Sequence, residues 1–464
     1  MGNCVSYPKF SVEQDSVADL TVATTLDERP TAGLCFFFVW LFIVAIYARP
    51  EDIFPPVGAL HLTFLLGTAA ALVFLWSLIT GTVTVVWPRE LRIVLLLTVW
   101  FMAGVPFAYW RGGSFEVLTH TWLKTALIFF LLTQTLVSLR RIYAVLWAII
   151  LSELVVTSYS LVASTQVRWV GDRLFGVSLG ILGWNFLGIA AALTIPYIAV
   201  IFISRPSFLR SCVLAAAIGS TLWMLMLTAS RSGMMAVAVS VVLTTVLVLR
   251  GTSRGRLLGI GMAVVLLAAL CLAPAVFWER MGTILSDDPS IAANEEEASA
   301  EMSENSRWEV LKRSLEYTIE NPVFGLGLGN LAAANGNALR RPDAWIGSHN
   351  TYAEMSSEAG IPALLLFLWL LGTACRGMLR ISRTPQSAPR GPELILLARA
   401  SLASLYATMF GCCFAHIGYE YFLYVCPIAI ASGIQRISAS SANGDAPLAG
   451  TLDSMERRLE QSWA

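Results

Sequence analysis

The chain has 464 residues, of which 56% are hydrophobic and 13% are charged, and its formal net charge is zero. A soluble protein carries roughly a quarter of its residues as charges, so this composition excludes an ordinary soluble domain and indicates a polytopic membrane protein. The neutral balance also argues against a nucleic-acid partner, because no basic region is present to neutralise phosphates.

Apolar windows predict twelve membrane helices, since a helix needs about 20 residues to cross a hydrocarbon core of roughly 30 Å. We therefore predict an all-α polytopic fold with about twelve transmembrane helices and one large periplasmic loop that contains short helices. The predicted units are an N-terminal tail at 1–32, helices one to nine at 33–277, the outer loop at 278–350, helices ten to twelve at 351–435 and a C-terminal tail at 436–464. The windows are 33–48, 60–80, 91–108, 121–138, 142–163, 183–203, 211–229, 232–249, 257–277, 351–373, 395–416 and 421–435.

Arginine placement sets the predicted orientation, because positively charged short loops stay on the cytoplasmic side. Alternate loops hold most of the arginines, which places both tails in the cytoplasm and the loop 278–350 outside. The short loops with Arg168, Arg173 and Arg231 then lie on the outer side. The arginines of the predicted cytoplasmic loops are Arg89, Arg92, Arg140, Arg141, Arg205, Arg210, Arg250, Arg254, Arg256, Arg376, Arg380, Arg383 and Arg390.

Arg231 lies in a short turn between two predicted spans, within Ser230-Arg231-Ser232-Gly233. An arginine at such a place either extends to the membrane interface or holds an anion at the outer face. The short turn and the shared side with the outer loop favour the second interpretation. Arg307 and Arg173 are predicted on that side too, although a solvated helix charge and a loop charge explain them equally well.

The outer loop divides into an acidic segment and a predicted helix. Residues 285–306 combine seven acidic side chains with Ala and Ser and hold no aromatic residue, which is typical of a mobile segment. An amphipathic helix is predicted from a cap at Asn305 or Ser306 to a stop at Asn321-Pro322, with its apolar face resting on the membrane domain. Its apolar positions are Trp308, Leu311, Leu315 and Ile319.

A glycine-rich segment, Gly-Leu-Gly-Leu-Gly-Asn at 325–330, follows the predicted helix. Its backbone amides could approach a phosphate closely. It lacks the Lys-Ser/Thr pair of a Walker loop and the setting of a dinucleotide fold, so by itself it indicates a bare turn.

His349 stands where the outer loop ends and an apolar helix begins. Ionisable groups at such a boundary are costly and suggest a site. On a helical wheel Glu354 and Glu358 point largely away from His349, so we expect them to pair with an arginine of another span. A histidine with a reference pKa of about 6.5 suits proton abstraction from a hydroxyl; the alternative is a histidine that only begins the helix.

No metal site or cofactor is predicted. The four histidines are scattered along the chain, and no group of His and Cys has the spacing of a zinc site.

Short motifs together resemble the O-antigen ligase and O-antigen polymerase superfamily. They are His349-Asn350 followed by Gly360, the turn 230–233, Arg307-Trp308, and Asn-Pro-Val-Phe-Gly-Leu-Gly at 321–327. Twelve spans with one large outer loop before the histidine fit the same family. The resemblance covers most of residues 30–435.

The resemblance implies a metal-independent, inverting glycosyltransferase of the bacterial inner membrane, with its active site facing the periplasm and an undecaprenyl-diphosphate-linked glycan as donor. By matching motifs, His349 is the expected catalytic residue, Arg231 and Arg307 are the arginines that bind the donor, and Arg173 is a looser match. Asn350 and Tyr352, beside the histidine, are expected to contact substrate. Membrane lipids surround the chain.

Acceptor choice separates the branches of this superfamily. Ligases use a sugar of the lipid A core, polymerases a second lipid-linked glycan, and a related branch a protein hydroxyl. The ligase form of the histidine motif has Gly, Thr or Tyr three residues after the glycine, whereas this chain has Ala363 preceded by Pro362. Ligase is still placed ahead of polymerase.

Two other interpretations differ in kind. A transporter or flippase is less favoured, because no paired inverted halves are visible and the charges cluster on one side instead of near the midplane. A different membrane glycosyltransferase would use an acidic base in the first outer loop, at Glu51 or Asp52. A plain interfacial turn explains that segment as well.

Overall fold

The computed structural model of the protein describes residues 30–162, 169–170, 173–174, 184–204, 207–250, 253–273, 275, 278, 295–338, 347–384, 391–419 and 424–442. These residues form a bundle of apolar helices, which confirms the predicted all-α polytopic membrane fold. One two-residue β ladder is present among them, with β1 (Trp169–Val170) antiparallel to β2 (Arg173–Leu174).

The principal helices are labelled in chain order. They are α1 (Pro30–Ala48), α2 (Leu62–Ile79), α3 (Arg89–Gly104), α4 (Arg111–Thr135), α5 (Leu139–Val162), α6 (Trp184–Ser204), α7 (Phe208–Thr228), α8 (Arg231–Leu249), α9 (Ser253–Cys271), α10 (Glu295–Glu320), α11 (Leu331–Ala338), α12 (Thr351–Arg383), α13 (Gly391–Gly411) and α14 (Ile430–Ala442).

Each predicted apolar window overlaps a helix of the described chain. Within that part of the chain, eight helices are both long and apolar enough to cross a membrane, and the shorter apolar stretches Gly33–Ala48 and Gly188–Ser204 add to them. The count of twelve spans stays a prediction. The eight are Pro56–Ile79, Arg89–Phe107, Arg111–Thr135, Leu139–Val162, Phe208–Thr228, Arg231–Leu249, Thr351–Arg383 and Gly391–Gly411.

Small and hydroxyl side chains join the central helices. Tyr197 of α6 donates a hydrogen bond to Ser401 of α13 over 3.2 Å, and the Ser404 hydroxyl donates to the Leu193 carbonyl over 3.0 Å. Without water to compete, packing and such interhelical hydrogen bonds hold membrane helices together. α6 and α13 therefore form a fixed pair at the centre of the bundle.

The bundle has two ends that can be told apart by contacts. At one end α12 begins, and the Thr351 amide donates to the Cys412 carbonyl just after α13 over 2.8 Å. At the other end Gly377 of α12 lies against Gln435, whose side chain donates to Glu90 at the start of α3 over 2.8 Å. We call the first of these the His349 end.

α12 is broken at Gly360, where φ is 82° and ψ is 171°. A side chain there would run into the Val323 carbonyl oxygen, so only glycine fits this close approach between backbones. The amide of Ile361 donates to the Pro322 carbonyl over 2.9 Å, which joins the end of α10 to the break.

The helix of the outer loop differs from its prediction at its start. α10 begins at Glu295 instead of Asn305 or Ser306, so residues 295–306 of the segment predicted to be mobile are helical. Residues 285–294 of that segment lie outside the described residues. The helix ends at Glu320, and the predicted stop at Asn321-Pro322 is confirmed.

The predicted packing face of α10 is wrong. Leu315 and Ile319 of the predicted face are 51% and 78% exposed, whereas Ser314 and Thr318 are buried. The Thr318 and Ser356 hydroxyl groups lie 3.0 Å apart. The reason is the partner surface: the first turns of α12 are rich in serine there, and hydroxyl groups satisfy them better than apolar side chains.

Candidate functional site

His349 occupies a tight loop immediately before α12. Its φ is 48°, a left-handed conformation that is uncommon for a residue with a side chain. The Ser348 hydroxyl donates to the Asn350 carbonyl over 2.8 Å and accepts from the Asn350 amide over 3.3 Å, which ties the backbone across the histidine. We call residues 347–350 the histidine loop. Its backbone is held by hydrogen bonds of the residues on either side of His349.

Asn350 is the N-cap of α12. Its side-chain oxygen accepts from the amides of Tyr352 and Ala353, each over 3.0 Å, and its amide nitrogen donates to the Cys413 carbonyl over 3.3 Å. An Asn cap satisfies amides that a helix start leaves without intrahelical partners. The side chain predicted to contact substrate is thus engaged at both polar atoms in holding the loop.

The first residues of α12 are attached to the segment that follows α13. The Thr351 hydroxyl donates to the Ala415 carbonyl over 2.7 Å, and the Tyr352 hydroxyl donates to the Met409 carbonyl over 2.8 Å. Tyr352 had also been predicted to contact substrate, and its proton is used instead within the protein. Both contacts set the position of His349 relative to α13.

A second histidine, His416, lies against His349. The two ring centroids are 5.2 Å apart at 74°, and a side chain on Gly347 would touch the His416 ring at 3.4 Å. His416 keeps an accessible face although protein surrounds most of it, and this enclosure lowers its pKa from about 6.5. His416 is therefore held in the neutral form at neutral pH.

The sequence motifs do not single out His416, which is one of four scattered histidines. One signal was available: the window 395–416 ends on the same predicted side as the start of the window 351–373. Two histidines at the ends of neighbouring antiparallel helices are candidates for contact.

Arg231 is the first residue of α8 and is half-buried. Ala229 before it has φ of 47°, and the Ser230 hydroxyl caps the helix by accepting from the Gly233 amide over 3.2 Å. A cation at a helix N-terminus adds to the partial positive charge that the helix already has there. The start of α8 thus combines two sources of positive potential, which suits an anion.

Contacts between backbones place Arg231 and His349 at the same end of the bundle. A side chain on Gly188, near the start of α6, would run into the backbone of Gly233. One on Gly411, at the end of α13, would lie 2.8 Å from Ile189. Since Thr351 is bonded to Cys412, the starts of α6, α8 and α12 share the His349 end. Three helix N-termini therefore direct positive potential to that end.

The glycine-rich segment 325–330, called the glycine turn here, is not an open cradle of amides. Gly325, Gly327 and Gly329 have φ of 65°, 95° and 70°, which favours glycine at each. Their amides donate in turn to the Asn321 carbonyl, the Glu358 carbonyl and the Glu358 carboxylate. The amide contacts to a phosphate that the sequence allowed are thus already made within the chain.

Glu358 holds the glycine turn. Its carboxylate accepts from the Gly329 amide over 2.7 Å and the Leu331 amide over 3.0 Å. Backbone amides, instead of the arginine expected from the sequence, are the partners the structure shows for this side chain. Glu354 likewise accepts from the Gly418 amide over 2.9 Å. Both carboxylates fasten loops to α12.

The remaining predicted residues are placed by their backbone. Arg307 lies in α10, Arg173 in β2, and Glu51 and Asp52 in a short helix, Pro50–Ile53. The side chains of Arg307, Arg173 and Asp52 lie outside the described part of the structure. The fold of α10 against α12 brings the helix that holds Arg307 to the His349 end.

Residues 213–368 match the family model described as O-antigen ligase. The matched segment contains Arg231, Arg307, His349 and Glu358, and it leaves out Arg173 and His416. No curated protein matches the chain. The matched segment spans about a third of the chain, and it supports the resemblance to the O-antigen ligase and polymerase superfamily found in the motifs.

Proposed function

We propose that the protein is an O-antigen ligase-type glycosyltransferase, which moves a glycan from undecaprenyl diphosphate to a hydroxyl of the lipid A core. One observation carries the proposal: the starts of α8 and α12, with Arg231 and His349, lie at one end of the bundle inside the matched domain. Positive potential and a histidine at one end are what transfer from a diphosphate requires.

His349 acts as the base in this proposal. It removes the proton of the acceptor hydroxyl while that oxygen attacks the anomeric carbon and the bond to the diphosphate breaks. A single displacement of this kind inverts the anomeric configuration. The step needs an imidazole nitrogen that can accept the proton of the hydroxyl.

Arginines neutralise the leaving diphosphate in place of a metal. A guanidinium presents a planar fork of donors to phosphate oxygens and keeps its charge at any physiological pH. Arg231 is the first of these, supported by the helix N-termini around it. Arg307 and Arg173 are proposed to share the role. His416, Asn350 and Tyr352 hold the histidine loop rather than the substrate.

The proposed location is the inner membrane of a bacterium, with the His349 end facing the periplasm. Arg89 at the start of α3, and Arg376 and Arg380 near the end of α12, lie at the opposite end, next to Glu90 and Gln435. Arginine-rich short loops remain in the cytoplasm. That arrangement supports a periplasmic reaction, where the lipid-linked glycan and the lipid A core meet.

The test is complementation of a deletion strain of the source bacterium. Wild type, His349→Ala and Arg231→Ala are compared with two matched controls, His120→Ala and Arg380→Ala, whose side chains are exposed elsewhere. Surface glycolipids are resolved on a gel, and the polyprenyl-linked pool is analysed beside them. The controls should restore full-length chains, and the two site variants should not.

The products decide between the branches. Lipid A core without O-chains, together with long polymer on the polyprenyl carrier, supports a ligase. A core bearing a single repeat means a polymerase, and unchanged glycolipids with loss of protein glycosylation mean a protein glycosyltransferase. Full activity of His349→Ala would refute the histidine mechanism in every branch.

A further inference from the structure

The outer face of α10 is an exposed apolar stripe. Trp308, Leu315 and Ile319 are 58%, 51% and 78% exposed and recur along one side of the helix. A different side of the helix packs on α12 through Val310, Ser314 and Thr318. The helix therefore packs through Val310 and two hydroxyl side chains and leaves this apolar stripe outward.

The stripe continues into surface that faces lipid. At the end of α10, Val323 is exposed, and the Pro322 carbonyl accepts from the amide of Ile361. Ile361 and Leu365 are exposed on α12, in a helix long and apolar enough to cross the membrane. The backbone bond between Pro322 and Ile361 therefore brings the end of α10 beside exposed apolar residues of this helix.

Exposed aromatic rings lie near the end of α10. Phe324 stacks on Phe107, which is itself exposed, with ring centroids 4.7 Å apart. Tyr109, Trp110 and Phe115 follow as exposed residues at the end of α3 and the start of α4. Aromatic side chains are enriched where a membrane meets water, because their rings suit the headgroup region.

A lysine side chain lies beside Trp308, the first residue of the stripe. Lys312 Nζ lies 5.4 Å from the centre of the Trp308 ring. Helices that lie in a membrane surface combine an apolar face with Trp and with cations that reach the headgroups. Trp308 and Lys312 supply that combination one turn apart.

We propose that α10 lies in the lipid leaflet at the His349 end, with the stripe of Trp308, Leu315 and Ile319 inserted among the acyl chains and headgroups. The occupant of this surface is the phospholipid bilayer. The helix is then a surface anchor that keeps the outer loop flat against the membrane. This inference does not depend on the reaction that the protein performs.

Photo-crosslinking of the full chain tests the proposal. p-Benzoylphenylalanine is placed at 315 or 319, and in matched variants at 316 or 320, which are exposed glutamates of the same helix. A variant at 365, on the membrane face of α12, serves as the positive control. The proteins are reconstituted in vesicles of phosphatidylethanolamine and phosphatidylglycerol with a radiolabelled lipid tracer and then irradiated.

Lipid adducts at 315 and 319 should exceed those at 316 and 320 severalfold and approach the level at 365. Equal adducts at all four helix positions would overturn the proposal. Crosslinked dimers at 315 or 319 without lipid adducts would overturn it in favour of a second copy of the chain.

A conservative variant covers the case in which a crosslinker disturbs folding. Brominated lipids quench tryptophan at short range, and the fluorescence difference between wild type and Trp308→Phe isolates Trp308. That difference should be quenched in brominated vesicles and not by an aqueous quencher. The reverse pattern would place the ring in water and refute the anchor.

Discussion

The glycine turn and the histidine loop both contact the first turns of α12, and different groups hold each segment in place. In the glycine turn the backbone amides are consumed by carbonyls and by Glu358, so the segment is a fastening. In the histidine loop the side chains of Ser348 and Asn350 bind the backbone instead. The first segment is thus held through its backbone amides and the second through its flanking side chains.

The largest expected effect comes from His349→Gln. If the imidazole is the base, glycan transfer should fall about 10²–10⁴-fold, while the thermal unfolding temperature in detergent stays at the wild-type value. Transfer is measured in vesicles with a lipid-linked donor, and His120→Gln is the control. A loss of stability in step with activity would mean that the histidine loop is a fastening like the glycine turn.

Glu358→Ala should produce the opposite pattern. Removing the carboxylate leaves the Gly329 and Leu331 amides without their acceptor, at about 1–3 kcal/mol each. We expect a marked drop in unfolding temperature, with activity of the remaining folded protein close to wild type. Glu358→Gln keeps one acceptor oxygen and should lie between. Loss of activity in the stable Gln variant would make Glu358 a chemical group.

Asn350→Ala tests whether a residue that holds the histidine loop affects both stability and activity, and we expect smaller effects. Loss of the cap should cost about 0.5–2 kcal/mol of stability, and activity should fall as the histidine loop loosens. Asn350→Asp keeps a capping oxygen and should recover most of the stability. A stable but inactive Asp variant would show direct contact with substrate, as the sequence had suggested.

The smallest effect concerns pH. Enclosure lowers the pKa of His416 in the folded chain below its unfolded value of about 6.5, so the unfolded chain takes up the proton first as pH falls. Stability from this group is thus lost below about pH 6.5. In His416→Gln the drop in unfolding temperature between about pH 7.5 and about pH 5.5 should be smaller than in wild type. Equal slopes would show that His416 does not sense pH in the fold.

Local patterns in the sequence were enough to predict the helices and the start of α12. Asn350 before an apolar run is a cap signal, and Asn321-Pro322 after one is a stop signal, and both depend on residues a few positions apart. The family motifs supplied Arg231 and His349 on the same grounds. Features that depend on residues a few positions apart could therefore be predicted from the sequence.

Features that depend on contacts between residues far apart in the sequence could not be predicted. The contact of His349 with His416 and the bond of Gly329 to Glu358 join residues that are separate in the sequence. The packing face of α10 failed for another reason. Amphipathicity shows which side of a helix is apolar, but a membrane protein has lipid as a second apolar environment, so the apolar side need not be the one that packs on the protein.

The break at Gly360 changes which part of α12 is expected to cross the membrane. Residues 361–383 extend for about 34 Å at about 1.5 Å per residue, which is close to the hydrocarbon thickness of roughly 30 Å. The turns before the break then form a pedestal at the level of the headgroups, and this pedestal holds two loops. Glu354 and Glu358 belong to that pedestal, so a hydropathy window that begins at Thr351 counts two headgroup-level carboxylates as intramembrane charges.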